Sequence, residues 1–286
     1  MRTAHNGDIE IAYELVHDTP GRPILLLGGN FTQMIHWPDE FLADLAARGF
    51  QAARFDHRDS GRSTHLPDGP SYDLRDMADD AVAVLDALGW SSAHLFGTSL
   101  GGMIGQVMAV HHAARVRSLT TISAAPNWGL RFNRPRLRTL LKLLPAVAAR
   151  PADRDGAIEQ TLRIFRLMTT PEYPLDETWL RDVTARASDI DVAHDPAAGM
   201  RQQAACKASG DRRAEVARIA VPTLVVHGDQ DPMQRVRSGR ATAVAIPGAR
   251  LRILPDVGHV IPQQLFPVIL DELVDMLDHT FDTMAE

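Results

Sequence analysis

Residues 94–110 of this chain read HLFGTSLGGMIGQVMAV and decide its fold. The apolar run at 94–96 predicts a short buried strand, and the run at 103–110 predicts a buried helix. Between them stands Ser99, with Gly97 two residues before it and Gly101 two residues after it. The stretch therefore predicts a strand, a sharp turn that carries a serine, and a helix, in that order.

Glycine on both sides of the serine has a mechanical reason. A serine at the tip of such a turn takes a strained backbone conformation, and the residues two before and two after it must be small so that strand and helix can approach each other. A glycine-rich turn that only begins a buried helix is the plain structural alternative. A dinucleotide-binding loop is excluded because the Gly-x-Gly-x-x-Gly spacing is absent here.

Outward from this stretch, short apolar runs alternate with longer helical patterns. Further strands are expected at 9–15, 23–27, 51–55, 116–122, 221–226 and 251–254. Helices are expected at 38–48, 72–88 and 265–281. This alternation predicts the α/β class, with a mostly parallel, doubly wound sheet and helices on both of its faces.

One segment interrupts the alternation. From about residue 127 to residue 213 no β-rich run appears, only helical patterns. We expect 127–213 to form an inserted helical cap, or lid, and 1–126 together with 214–286 to form the core domain. Short amphipathic helices are marginal alone, so the cap is expected to pack on the mouth of the sheet.

The serine needs partners if it is to act as a nucleophile. A serine hydroxyl is weak at neutral pH and requires a histidine base, whose tautomer is fixed by an acid. After a turn of this kind the acid and then the histidine follow on loops behind later strands. Asp231, directly before Pro232, is the predicted acid, and Asp229 in the same turn is the alternative. A helix N-cap is the plain structural role for Asp231.

His259 is the predicted base because it lies in the loop between the last strand and the closing helix. Its plain structural role is that of a surface-loop histidine. His57 and His65 follow an earlier strand and therefore lack the required chain order. No His-x-x-x-His or His-Glu-x-x-His spacing occurs, so we expect no metal and no cofactor.

An acyl-transfer site also needs donors for the negative charge that develops on the carbonyl oxygen. We expect the backbone amide of Leu100 to be one of them. The other is expected in the glycine pair after the strand at 23–27, where substrate can approach the backbone closely. Gly29 is the predicted donor and Asn30 is the alternative. A Gly-Gly turn without any catalytic part is the plain structural reading.

Composition bounds the class of partner. The chain has 286 residues, 45% of them hydrophobic, and a formal net charge of −6, so no global positive field exists to attract nucleic acid or an anionic membrane. Cys206 is the single cysteine, which rules out an intrachain disulfide. No stretch approaches the roughly 20 apolar residues of a membrane span, and the first residues lack an apolar signal core. We expect a cytoplasmic monomer or homodimer.

With these pieces in place, the chain resembles the α/β-hydrolase superfamily over essentially its whole length. Residues 56–63, DHRDSGRS, look like the Asp-x-Arg-Gly-x-Gly-x-Ser loop of its cofactor-free esterase branch, with Asp59 standing where that branch usually has glycine. Residues 28–30, 37–41 and 56–63 are similar to the aclacinomycin methylesterase-like hydrolases of anthracycline biosynthesis. The chain departs from the commoner His-Gly oxyanion motif by having Leu27 before Gly28.

The resemblance implies hydrolysis of a small-molecule carboxylic ester, such as a methyl ester of a bulky acid, through an acyl-enzyme. Specificity is expected to come from the cap. Its candidate pocket residues are Trp128, Phe132, Phe165, Met168 and Met200, each of which could instead be plain helix-packing core. A lactonase, a C–C hydrolase or a perhydrolase would use the same triad. A ligand-binding protein on a hydrolase scaffold is the non-enzymatic alternative.

Overall fold

A computed structural model of the protein describes residues 1–67, 71–126, 136–149, 153–191, 195 and 197–284. Its strands are β1 Arg2–Asn6, β2 Ile9–Leu15, β3 Arg22–Leu27, β4 Phe50–Phe55, β5 Ala93–Thr98, β6 Val116–Ile122, β7 Thr223–Gly228 and β8 Arg250–Leu254. Its helices are α1 Asp39–Ala47, α2 Leu74–Ala87, α3 Leu100–His111, α4 Leu137–Ala148, α5 Arg154–Arg166, α6 Glu177–Ile190, α7 Ala198–Ala208, α8 Arg213–Val216, α9 Val236–Ala245 and α10 Phe266–Met284.

The strands form one sheet in the order β1-β2-β4-β3-β5-β6-β7-β8. From β4 to β8 every neighbouring pair is parallel, while β2 runs antiparallel to both β1 and β4. The six parallel strands therefore end at one edge of the sheet. In open α/β sheets this carboxyl edge is where ligands bind.

Alternation along β3 shows how the sheet is covered on both faces. Leu25 and Leu27 join one cluster of buried side chains, which includes Met77 of α2 and Ile104 of α3. Ile24 and Leu26 join a second cluster, which includes residues of α1 and α10. Successive side chains of a strand point to opposite faces, so one continuous apolar run supplies both cores. The predicted doubly wound α/β sheet is confirmed.

Among the described residues, five helices, α4 to α8, lie between β6 and β7 in the chain. Ile158, Leu162, Leu180 and Val183 are buried together, so α5 and α6 form a small apolar cluster of their own. In the described part of 127–213 no strand interrupts the helices. The boundaries expected for a cap, at residues 127 and 213, stay a prediction.

The predicted strands at 9–15 and 116–122 match β2 and β6 residue for residue, and the other predicted strands shift by a residue or two. β1 was not predicted. Ala4 is its one fully buried residue, so it shows little of the apolar alternation that marks a half-buried strand. Among the described helices, none is both long and apolar enough to cross a membrane.

Candidate active site

Three strand ends bring the predicted catalytic side chains together. Ser99 follows β5 directly, Asp231 lies three residues after β7, and His259 lies in the loop between β8 and α10. Because these strands are parallel members of one sheet, their carboxyl ends share an edge. Ser99 can therefore meet Asp231 and His259 there, although both are more than 130 positions away in the chain.

The turn at Ser99 is strained in the way the glycine spacing predicts. Ser99 has φ 52° and ψ −112°, a backbone conformation that residues with a side chain rarely adopt. A Cβ on Gly97 would lie 2.5 Å from the carbonyl of Gly101, and a Cβ on Gly101 would lie 2.1 Å from the carbonyl oxygen of Leu27. No side chain fits at either position, so the two glycines let α3 begin against β3 and β5.

Ser99, His259 and Asp231 form a continuous hydrogen-bonded chain. The Nδ1 of His259 lies 2.8 Å from Oδ2 of Asp231, and its Nε2 lies 3.0 Å from the Ser99 Oγ. A carboxylate can only accept, so Nδ1–H donates to Asp231 and Nε2 is left free to accept from the serine hydroxyl. This is the tautomer in which His259 can take the serine proton.

Asp231 is held rigidly. Its side chain is fully buried, and its second oxygen, Oδ1, accepts from the backbone amides of Met233 and Gln234 at 2.8 Å each. Burial raises the pKa of Asp231, but the facing imidazoles of His259 and His227 and their hydrogen bonds lower it more. The net pKa lies below the usual range of a carboxyl group, so Asp231 is ionised.

The alternative acid, Asp229, makes a different contact. Its Oδ1 accepts from the backbone amide of Asp256 at 2.8 Å. Asp229 thus ties the turn after β7 to the loop after β8, and the histidine contact belongs to Asp231. A helix N-cap is not the role of Asp231 here, because α9 begins only at Val236.

The helical segment between β6 and β7 supports the loop of His259 through a backbone contact that the sequence did not predict. The carbonyl oxygen of Met168 accepts from the backbone amides of His259 at 2.7 Å and Val260 at 3.3 Å. A Cβ on Gly258 would lie 2.2 Å from the same oxygen, so glycine is required for this close approach. The side chain of Met168 was the predicted feature, yet its carbonyl makes the contact. Any residue supplies a carbonyl, so no sequence signal marks this role.

The predicted oxyanion donors lie beside the serine. Leu100 is the first residue of α3, where a backbone N–H has no carbonyl one turn earlier to bind. Gly29 faces the nucleophile, since a Cβ on it would lie 3.7 Å from the Ser99 Cβ. The side chain of the alternative, Asn30, points elsewhere: its Nδ2 donates to the carbonyl of Gly199 in α7 at 3.1 Å.

Residues 56–63 pack beneath this loop and brace it. Oδ1 of Asp56 accepts from the backbone amide of Met34 at 2.7 Å, and the hydroxyl of Ser60 donates to the carbonyl of Thr32 at 2.9 Å. Burial raises the pKa of Asp56 to about 6, against the opposing effect of its backbone donors. The motif therefore holds in place the loop that carries the predicted oxyanion donor Gly29.

Asp59, the departure from glycine in this motif, binds a partner from the helical segment. It has φ 62°, a conformation that suits glycine, and its side chain is fully buried. Both its oxygens accept from Arg201 of α7, at 2.6 and 2.9 Å, and Tyr72 and the Leu66 amide donate to it as well. Burial raises the pKa of Asp59, but these hydrogen bonds lower it further, below its usual value.

The candidate pocket residues fall in three kinds of place. Trp128 and Phe132 lie outside the described residues. Phe165 is partly buried and packs against the apolar cluster of α5 and α6. Met200 is 46% exposed on α7, one residue beyond the Gly199 carbonyl that binds Asn30.

Outside Ser99, Asp231 and His259, the described residues offer neither a metal site nor a reactive thiol. In the part of the chain that the structure describes, no group of three His, Cys, Asp or Glu side chains could hold a metal ion. Cys206 is buried in α7, and burial raises the pKa of its thiol to about 12. Such a thiol is inert at neutral pH.

Comparison with known proteins gives one consistent result. Residues 22–262 match the family described as alpha/beta hydrolase fold. The chain is 30% identical over 280 residues to rhodomycin D methylesterase DauP of Streptomyces sp. (strain C5), covering 91% of this chain and 92% of the relative. It is 29% identical to rhodomycin D methylesterase DnrP of Streptomyces peucetius, with the same coverage. The enol-lactonase of Burkholderia xenovorans LB400 is 26% identical, with a TM-score of 0.74, over 97% of this chain and all of the other.

Proposed function

We propose that this chain, which belongs to the α/β-hydrolase family, hydrolyses carboxylic esters through an acyl-enzyme formed on Ser99. The chain is a hydrolase, and its similarity to two methylesterases supports esterase activity. The observation that carries the proposal is the hydrogen-bonded chain Ser99–His259–Asp231 at the carboxyl edge of the sheet.

The geometry supports a two-step reaction. His259 takes the proton of Ser99 through Nε2 while the serine oxygen attacks the ester carbonyl, and Asp231 stabilises the imidazolium that forms. The amides of Leu100 and Gly29 hold the oxyanion. His259 then returns the proton to the departing alkoxide, so the alcohol leaves and the acyl group stays on Ser99. Water, activated by the same imidazole, releases the acid.

The substrate we propose is a methyl or other small-alcohol ester of a bulky acid. This rests on the rhodomycin D methylesterases, which are named for cleaving a methyl ester. We further propose that 127–213 acts as a helical cap that bounds the acyl side of the site, because α7 and the residues after α5 contact both catalytic loops. Lactones are the second substrate class, favoured by the similarity to an enol-lactonase.

The test is covalent labelling followed by a substrate panel. A fluorophosphonate should label the protein at Ser99, located by mass spectrometry, and Ser99→Ala should abolish both labelling and turnover of p-nitrophenyl esters. Ser118→Ala is the matched control, because this buried serine contacts His94 at the opposite end of β5. Labelling at another residue, or turnover by Ser99→Ala, would overturn the mechanism.

Methyl esters of graded acid size, the corresponding ethyl and butyl esters, and a lactone set then define the substrate. We expect kcat/KM to fall as the alcohol part of the ester becomes larger. We expect it to change little as the acid part becomes larger. A preference for large alcohols or for lactones would refute the substrate part of the proposal and leave the triad standing.

A further inference from the structure

His57 is a buried imidazole that the proposed reaction does not use. It lies in the loop after β4 and is 2% exposed. Its Nε2 is 3.0 Å from the carbonyl oxygen of Gly28. A carbonyl can only accept, so Nε2 carries the proton and donates it. The ring also packs edge-on against Phe55, with centroids 4.9 Å apart, which fixes its plane.

The Gly28 carbonyl shares a peptide group with the Gly29 amide. A trans peptide is planar, and its C=O and N–H point in opposite directions. Holding the oxygen of Gly28 therefore also fixes the direction of the Gly29 N–H. That N–H donates to no group in the described parts of the chain, and a Cβ on Gly29 would lie 3.7 Å from the Cβ of Ser99.

Two adjacent glycines need such a brace. Glycine has the widest choice of backbone conformations, so the 28–29 peptide has little preference of its own. The other contacts with this loop act on later atoms: the hydroxyl of Thr32 donates to the Gly29 carbonyl at 2.8 Å, and Asp56 accepts from the Met34 amide. Among the described side chains, only His57 forms a hydrogen bond to the Gly28 carbonyl.

We propose that His57 is a positioning residue that aims the Gly29 N–H at the oxyanion by holding the Gly28 carbonyl through its Nε2–H. The inference rests on the proposed function and adds a residue to it. The brace acts on a group that matters most when the carbonyl oxygen becomes negative. Its loss therefore affects the transition state more than the bound ester.

The test compares three substitutions at His57. Glutamine places an N–H donor close to the position of Nε2, asparagine is shorter so its donor does not reach the Gly28 carbonyl, and leucine fills similar space without a donor. We expect His57→Leu and His57→Asn to lower kcat for a p-nitrophenyl ester by roughly 10- to 100-fold with little change in KM. His57→Gln should retain most of the wild-type kcat.

Binding of a transition-state analogue distinguishes a positioning role of His57 from a merely structural one. A trifluoromethyl ketone forms a tetrahedral adduct whose oxyanion needs the same donors. Its inhibition constant should rise in His57→Asn by about the same factor by which kcat/KM falls. If His57→Leu does not fold, as circular dichroism and thermal unfolding would reveal, the pair His57→Asn and His57→Gln carries the comparison.

His94 supplies the matched control. It is also a buried histidine, 3% exposed, and its Nδ1 lies 2.8 Å from the Ser118 hydroxyl near the start of β5. His94→Asn should lower the melting temperature and leave kcat unchanged. An unchanged kcat in folded His57→Asn, or a loss confined to KM, would overturn the inference. Failure of the fluorophosphonate to label wild-type Ser99 would instead overturn the proposed function.

Discussion

Replacing Asp231 by asparagine should separate the role of this side chain from its shape. Oδ1 of Asp231 accepts from two backbone amides, and Oδ2 accepts from His259. An asparagine must direct its oxygen to the two amides, because an NH2 group there would face two donors. Its NH2 group then faces Nδ1 of His259.

This orientation forces the wrong tautomer on the base. Nδ1 of His259 must now accept, so the proton moves to Nε2, which faces Ser99 at 3.0 Å. An imidazole protonated there cannot take the serine proton. Enzymes with this triad lose about 10⁴-fold in kcat when the acid becomes an amide, which corresponds to about 5.5 kcal/mol of barrier. We expect a loss of the same order.

The assay is steady-state hydrolysis of a p-nitrophenyl ester together with the rate of fluorophosphonate labelling. Both should fall by about the same factor in Asp231→Asn, since both need a deprotonated Ser99. Asp229→Asn is the matched control, because it keeps an oxygen for the Asp256 amide and does not contact the imidazole. Activity of Asp231→Asn within tenfold of wild type, or an equal loss in Asp229→Asn, would refute the assignment.

Two further predictions concern the backbone and the helical segment. Gly101→Ala places a Cβ 2.1 Å from the Leu27 carbonyl oxygen. It should lower the free energy of unfolding by about 1–3 kcal/mol and abolish most of kcat. In the control Gly105→Ala the Cβ meets a movable side chain at 2.8 Å, so denaturant titration and kinetics should show a clearly smaller effect. Arg201→Ala leaves buried Asp59 without its cation and should cost about 2–4 kcal/mol in urea unfolding. Adding Asp59→Gly, which suits φ 62°, should recover most of it, and a double variant no more stable than Arg201→Ala would contradict this.

The fold was predictable from sequence wherever both faces of a strand are buried. β3 contains the continuous apolar run 23–27 because helices cover the sheet on both sides, and such a run stands out in a sequence. β1 was missed for the opposite reason. It pairs only with β2 at the edge of the sheet and buries one side chain fully, so pairing and not composition makes it a strand.

The part of the candidate site that depends on the order of residues along the chain was predictable. Ser99, Asp231 and His259 each follow a strand of one parallel sheet, and that alone places them at one edge. The part played by His57 was not predictable, because it depends on β3 and β4 being neighbours, which the sequence does not state. Contacts made through carbonyl groups, such as that of Met168, are independent of residue type and leave no pattern to find.

The helical segment between β6 and β7 is tied to both of the loops that we propose to be catalytic. The carbonyl of Met168 holds the loop of His259, and the carbonyl of Gly199 holds the side chain of Asn30 beside the oxyanion donors. Arg201, two residues further along α7, is ion-paired to the loop that braces those donors. The helices that we propose to bound the acyl side of the site are thus joined by hydrogen bonds and an ion pair to both loops. Substitutions there should change kcat as well as substrate preference, because a pocket wall cannot move without moving the base or the oxyanion loop.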